Sequence, residues 1–539
     1  MRTPLHALLG IVILATGARA TPADELLPAD RPIEAAVDHY VDAKLTKEGV
    51  HAAADADDAT LVRRLTLDLQ GRIPTDAEVR AFVLSTEADK RARLVDRLMA
   101  SPGFVRHQVD TTDAMLMAGS RGSLNDYLSR AVRENRPWDQ VFREVMQGND
   151  SDPARKGSSD FLKARARDTD RLTSDVSSVF FGVNISCAKC HDHPKVRDWK
   201  QEHYYGMKSF LDRTFDSDNF VAERDFGAVK FKTTEGEERK ARFMFLTGRV
   251  VDVPGIEEPS KEAKQEEKKR LEEARKKKEP PAPPKFSARG KLVEIALEPT
   301  ERAFFAKAIV NRLWNRVFGV GLVMPLDQMH SENPPSHPEL LQWLARDTID
   351  HQYDLHRLIR GLVLSRAYAR TSRWESAERP DPRLFATASV RPLTPFQLAA
   401  SMWVASTDPA SLPEVAKRDE LDRKLEEFAG RGRSLASTIA RPGEDYQIGA
   451  SEALLMSNSD RLKDMLADGG DRLVARMAKM SDRREKIELA VRNVLSRAPD
   501  EEEISLFGEY LARYEDRPAE GCRQLVWALL TSAEFRFNY

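Results

Sequence analysis

Three cysteines in 539 residues are too few for a disulfide scaffold. Charge of one sign is equally scarce. The 84 Lys and Arg nearly balance the 86 Asp and Glu, for a net charge of -2. No basic surplus exists to grip a phosphate backbone or an anionic membrane, so nucleic acid is set aside as a partner. Long apolar runs are missing too: beyond the first twenty residues no stretch approaches the roughly 18 residues of a spanning helix. His-Glu-x-x-His, Gly-x-Ser-x-Gly and a Gly-rich phosphate loop are all absent, and Gly319-Val320-Gly321 is too little for a dinucleotide site. No catalytic residue is assigned.

The N-terminus carries the first positive signal. Arg2 and His6 precede an apolar stretch at residues 7–15, and Ala18-Arg19-Ala20 has the small-x-small pattern of a signal-peptidase site. Residues 1–20 therefore read as a cleaved leader, with no membrane span afterwards and a periplasmic or secreted destination.

Hydrophobic residues make up 41% and charged residues 32%, the balance of a folded chain with a highly charged surface. Val62, Leu65 and Leu69 share one helical face. After Ile73-Pro74, Thr75 with Glu78 forms a capping box; Asp500 with Glu503 repeats that grammar after Ala498-Pro499. Residues 94–101 echo 525–532, each reaching a Phe (Phe104, Phe535), and residues 362–368 echo them more weakly; this reads as a repeated packing solution. Between about 226 and 255 the pattern turns to β: Val229-Lys230-Phe231-Lys232-Thr233 alternates and Ala241-Arg242-Phe243-Met244-Phe245-Leu246 is rich in β-formers, with Gly236 between. Residues 257–285 then run through Lys and Glu into Pro280-Pro281-Ala282-Pro283-Pro284, a solvated helix followed by a stiff spacer. The expected fold is mainly α: a multi-helical two-domain protein, 31–225 and 289–539, with a small β segment at 226–256 and a charged, Pro-rich linker at 257–288.

The chemistry concentrates at Cys187-Ala188-Lys189-Cys190-His191-Asp192-His193-Pro194. Cys-x-x-Cys-His is the attachment signal for c-type haem: two thiols at this spacing can meet both vinyl groups, and the following His can face the iron. Cys187 and Cys190 are then the cofactor-binding thiols and His191 the iron ligand. Two other readings stand beside it. Cys187, Cys190, His191 and His193 could be four ligands of zinc or iron in a metal-dependent hydrolase or binding protein acting on an extracellular polymer. The two thiols could also form a local disulfide. For a second axial position the candidates are His203, Met207, Met324, Met329, His330 and His337. Cys522, beside Leu525, Leu529 and Leu530, reads as a buried free thiol.

The run from Phe181 through Pro194, followed by Trp199 and Tyr204-Tyr205, resembles the planctomycete-type cytochrome domain DUF1549, also called PSCyt2. Leu65-Thr66-Leu67-Asp68-Leu69 with Gly71 and Pro74-Thr75, and Leu94-Val95-Asp96-Arg97-Leu98 with Ser101-Pro102, fit the same domain. The second half resembles its companion DUF1553, or PSD1, at Ile309-Val310-Asn311-Arg312-Leu313-Trp314, Phe318-Gly319 and Pro334-Pro335-Ser336-His337-Pro338-Glu339. The resemblance implies an exported two-domain protein whose cytochrome label rests on the same Cys-x-x-Cys-His. The functional expectation is a haem protein for electron transfer, or the redox unit of a periplasmic assembly with a redox partner protein.

Overall fold

The computed structural model describes residues 26–194, 196–217, 220–254, 259–439 and 450–539. The leader read at residues 1–20 lies outside them. Helices take up 56% of the chain, and among the described residues no sheet exceeds two strands, so the fold is mainly α.

The helix signals act where the sequence places them. Asp57 accepts the Thr60 N–H at 2.8 Å and starts helix Asp58–Gln70, which buries Val62, Leu65 and Leu69 completely. Both capping boxes form, Thr75/Glu78 ahead of helix Asp76–Val83 and Asp500/Glu503 ahead of helix Glu501–Ala512.

The internal echoes share one device. Ser101 Oγ donates to the Leu98 carbonyl at 2.7 Å and accepts the Phe104 N–H at 3.2 Å. Ser365 does the same with Leu362 and Tyr368, at 2.8 and 3.2 Å, and Ser532 with Leu529 and Phe535, at 2.7 and 3.2 Å. One hydroxyl thus closes the last turn of one helix and opens the next, and Phe104, Tyr368 and Phe535 drop into the core at the corner.

The β region differs from its expected form. Lys230–Lys232 pairs antiparallel with Glu238–Lys240, not with the run at 241–246. Phe243, Met244, Phe245 and Leu246 are all buried, in an irregular loop closed by a Met244–Val250 bridge. Four successive apolar residues cannot alternate between core and solvent as a half-exposed strand must, so they pack under helix Gln201–Leu211. Gly206 permits this approach: a Cβ there would lie 2.5 Å from Met244 Cβ. A further hairpin, Thr214–Ser217 with Phe220–Glu223, was not signalled by the sequence pattern.

Helix Lys261–Lys277 buries none of its residues, as a solvated charged helix should. Glu223 spans the charged stretch instead. Its nearly buried carboxylate accepts from Arg213, from Ser287 Oγ at 2.8 Å and from the Ala288 N–H at 2.5 Å, which anchors the start of helix Ala288–Ala296. Two apolar cores result. The larger draws on residues from Ile33 to Ala386, on both sides of the charged stretch; the second gathers Leu393 through Phe535 together with Leu67 and Ile73. Cys522 is a buried free thiol within the second core.

Two stability predictions follow from these contacts. Ser365→Ala and Ser532→Ala should each lower the unfolding free energy by about 1–2 kcal/mol, the usual loss for a helix cap, seen as a lower urea midpoint at unchanged m-value. Glu78 supplies the second. Burial alone would raise its pKa, but the charge of Arg72 and a bidentate pair at 2.8 and 2.9 Å override it and hold Glu78 at about 2. A depressed folded-state pKa gives stability that is present above the ordinary carboxylate range and is lost as pH falls from there toward 2. Urea titrations across that window should show a drop in stability that is smaller in Glu78→Gln.

Candidate functional site

Helix Thr169–Phe181 starts on an Asp168 cap and stops at Gly182, whose φ of 66° ends it in the left-handed region. Asn184 Oδ1 then accepts from the Ser186 N–H at 3.1 Å and from Ser186 Oγ at 2.6 Å, which starts the 3-10 turn Ser186–Lys189. Ile185 and Ala188 point inward and are fully buried. Cys187, Cys190 and His191 are all exposed, and both thiols are free. The turn therefore presents the two sulfurs and the imidazole to the outside.

Lys189, between the two cysteines, is held at both ends. Its ammonium lies 2.7 Å from Asp170, while its carbonyl accepts from Tyr205 OH at 3.0 Å. Asp170 also accepts from Lys208 and from Tyr204 OH, each at 2.8 Å. Burial would raise the Asp170 pKa, but the hydrogen bonds from Lys189, Lys208 and Tyr204 hold it far below the usual carboxylate range. Gln201 closes the other side: its Nε2 donates to the Cys190 carbonyl at 3.0 Å and its N–H to Asp192 Oδ1 at 2.9 Å. Tyr205 stacks on Phe231 at 4.4 Å between centroids and 9° between planes, so the small hairpin forms a wall of this site.

The two histidines are held differently. His191 Nδ1 is 2.7 Å from the Asp192 carbonyl, an acceptor only, so Nδ1 is the donor of this bond and Nε2 takes no part in it. His193 Nδ1 instead accepts the Val196 N–H at 3.0 Å, while the His193 backbone N–H donates to the Trp199 carbonyl at 2.8 Å. His193 is thus built into the loop. Among the described residues no three His, Cys, Asp or Glu side chains converge as they would around a metal ion, so Cys187, Cys190, His191 and His193 are not drawn together as a cage.

A loop from the second half of the chain braces the turn. The Met329 N–H bonds the Gly182 carbonyl at 3.0 Å, and the Asn184 N–H bonds the Asp327 carbonyl at 2.7 Å, with Val183 and Gln328 bridged antiparallel between them. Beyond the turn, Ser331 N–H and Oγ both bond Asp198 at 2.8 Å. Arg312 reaches the Ser178 and Val179 carbonyls at the end of helix Thr169–Phe181, at 2.6 and 3.2 Å.

The axial candidates separate by their surroundings. Met207 is fully buried, and Met329 packs against Gly182. Met324 is exposed. His203 Nδ1 accepts the Lys200 N–H at 3.2 Å. His337 is buried beside Phe385, and that burial drives its imidazole down to about 4. His330 lies between the Met329 and Ser331 anchors. Asp170 and Gln201 carry no signal in the sequence pattern; Tyr204 and Tyr205 stand in a quoted motif, and the 327–331 loop is marked there only through Met329 and His330 as axial candidates.

Fold and site together define the class: a mainly helical protein with an outward-facing Cys-x-x-Cys-His turn braced by its own second half. Residues 36–216 match the family model PSCyt2, a protein of unknown function (DUF1549), and residues 288–443 match PSD1, a protein of unknown function (DUF1553). The chain belongs to this family of PSCyt2 followed by PSD1. No curated protein and no solved structure matches it.

Asp170→Asn should lower stability by about 1 kcal/mol, since the carboxylate is over a third exposed and its ion pairs are screened. It should also speed alkylation of Cys187 and Cys190 by iodoacetamide. Asp212→Asn, which meets Lys208 but not Lys189, should leave the alkylation rates unchanged.

Proposed function

We propose that this chain is an exported c-type haem protein serving electron transfer, either by itself or as the redox unit of a larger extracytoplasmic assembly. Cys187 and Cys190 would hold the haem, and His191 would ligate its iron. The observation that carries this reading is the outward presentation of both free thiols on one turn, beside a His191 whose Nδ1–H is tied to the Asp192 carbonyl. A ligating imidazole commonly donates its other ring N–H in this way, which fixes the tautomer and aims Nε2 at the metal.

The residues present suit the group. Each thiol adds its sulfur and its hydrogen across one vinyl double bond, so the attachment needs no net oxidant or reductant. Lys189, clamped by Asp170 and Tyr205, fixes the backbone between the two sulfurs. Haem, when bound, supplies one-electron chemistry at its iron. A four-ligand zinc or iron site draws less support, because His193 Nδ1 already accepts from the Val196 backbone. Export rests on the leader read at residues 1–20. Among the described residues no helix is long and apolar enough to cross a membrane.

The test is a pyridine haemochrome spectrum of the full chain after maturation in a host competent for c-type haem. Covalent haem is expected in the wild type and none in the Cys187→Ser, Cys190→Ser double variant. A wild type matured without covalent haem overturns the proposal.

A further inference from the structure

A groove lies where the first segment meets the second, and it shares no residue with the Cys187 turn. Its walls come from the end of helix Lys90–Met99, from helices Pro102–Leu116 and Asn125–Arg133, and from helix Arg418–Ala436 of the PSD1 segment. Two cavities of about 700 and about 780 Å³ meet there, since Ala100, Pro102 and Glu426 line both. That is room for a ligand of several rings.

The lining is built from one kind of cation. Arg97, Arg106, Arg133, Arg418, Arg423 and Arg433 all face the groove, and no lysine does. Three of them are matched by carboxylates: Arg106 meets Glu426 at 2.6 Å, Arg433 meets Asp110 at 3.3 Å and Arg418 meets Asp422 at 3.4 Å. The other three are not. Among the described residues, the Arg97 and Arg133 guanidiniums make no hydrogen bond or ion pair, and Arg423 reaches only the Asp419 carbonyl, at 3.2 Å. Arg133 belongs to one cavity, Arg97 and Arg423 to the other, so unmatched positive charge stands in both. A guanidinium fork suits a carboxylate, which it can grip with two parallel bonds.

The anions of the groove narrow the ligand further. Asp126 and Asp419 also line it, and neither is in an ion pair among the described residues. They would repel a bare polyanion but can accept from hydroxyl groups. A neutral sugar would leave three guanidiniums unmet, and the lining has no aromatic ring for it to stack on.

We propose that this groove binds an acidic oligosaccharide, its uronate carboxylates on Arg97, Arg133 and Arg423 and its hydroxyls on Asp126 and Asp419. The proposal is independent of the haem reading.

The test is titration calorimetry of the full chain at low ionic strength, with trigalacturonate as the probe. Saturable binding is expected for trigalacturonate, and none for galactotriose or inorganic sulfate. Arg97→Gln and Arg133→Gln should each weaken it by about fivefold, the loss of one exposed charged contact, at an unchanged urea midpoint. Arg167→Gln, which removes an arginine 89% exposed elsewhere on the surface, should bind as the wild type does. A wild type that fails to bind trigalacturonate, or that binds galactotriose or sulfate as tightly, overturns the proposal. So does an affinity that both groove variants leave unchanged, or that Arg167→Gln lowers as much as they do.

Discussion

The missing side chain at residue 182 is what the rest of the site depends on. Gly182 ends its helix with φ at 66°, a conformation that a β-carbon disfavours. A Cβ there would also lie 3.0 Å from the Met329 sulfur. Any larger residue would therefore strain the chain reversal and push away the loop that pairs with residues 182–184. Helix end, loop docking and the entry to the Cys187 turn are coupled through one position. Asn184 extends the coupling: its N–H and Nδ2 hold Asp327, while its Oδ1 starts the turn.

Electrostatics then fixes what geometry has begun. A single carboxylate, Asp170, gathers Lys189 from the turn and Lys208 and Tyr204 from the helix that follows it. Charge-assisted bonds of this kind are stronger and more directional than neutral ones. Because the helix Gln201–Leu211 also supplies Gln201 and Tyr205, one rigid element meets the turn at three carbonyls or carboxylates. The thiols are left as the outward edge of an otherwise fully engaged loop.

Much of this was legible along the chain. Caps, helical faces, the solvated charged helix, the buried Cys522 and the Cys-x-x-Cys-His motif each depend on residues close in sequence, and each could be read there. The β region was read less well, because β propensity at 241–246 could not distinguish a strand from four residues buried on every side. The bracing of the site was not legible at all. Asp170 and Asp198 reach the turn only through the fold, and nothing in their local pattern marks them; Met329 and His330 were legible as residue types, but not the docking of their loop on the turn.

The charged helix Lys261–Lys277 buries nothing, whereas Glu223 joins the residues before it to those after it. With the larger core shared between both sides, the stretch behaves as a handle on the outside of a closed box. A protease that nicks it would leave two fragments still bound as one particle, with the turn and its bracing loop in place. The same property makes this stretch the natural place to lengthen, shorten or tag the chain without disturbing the interior.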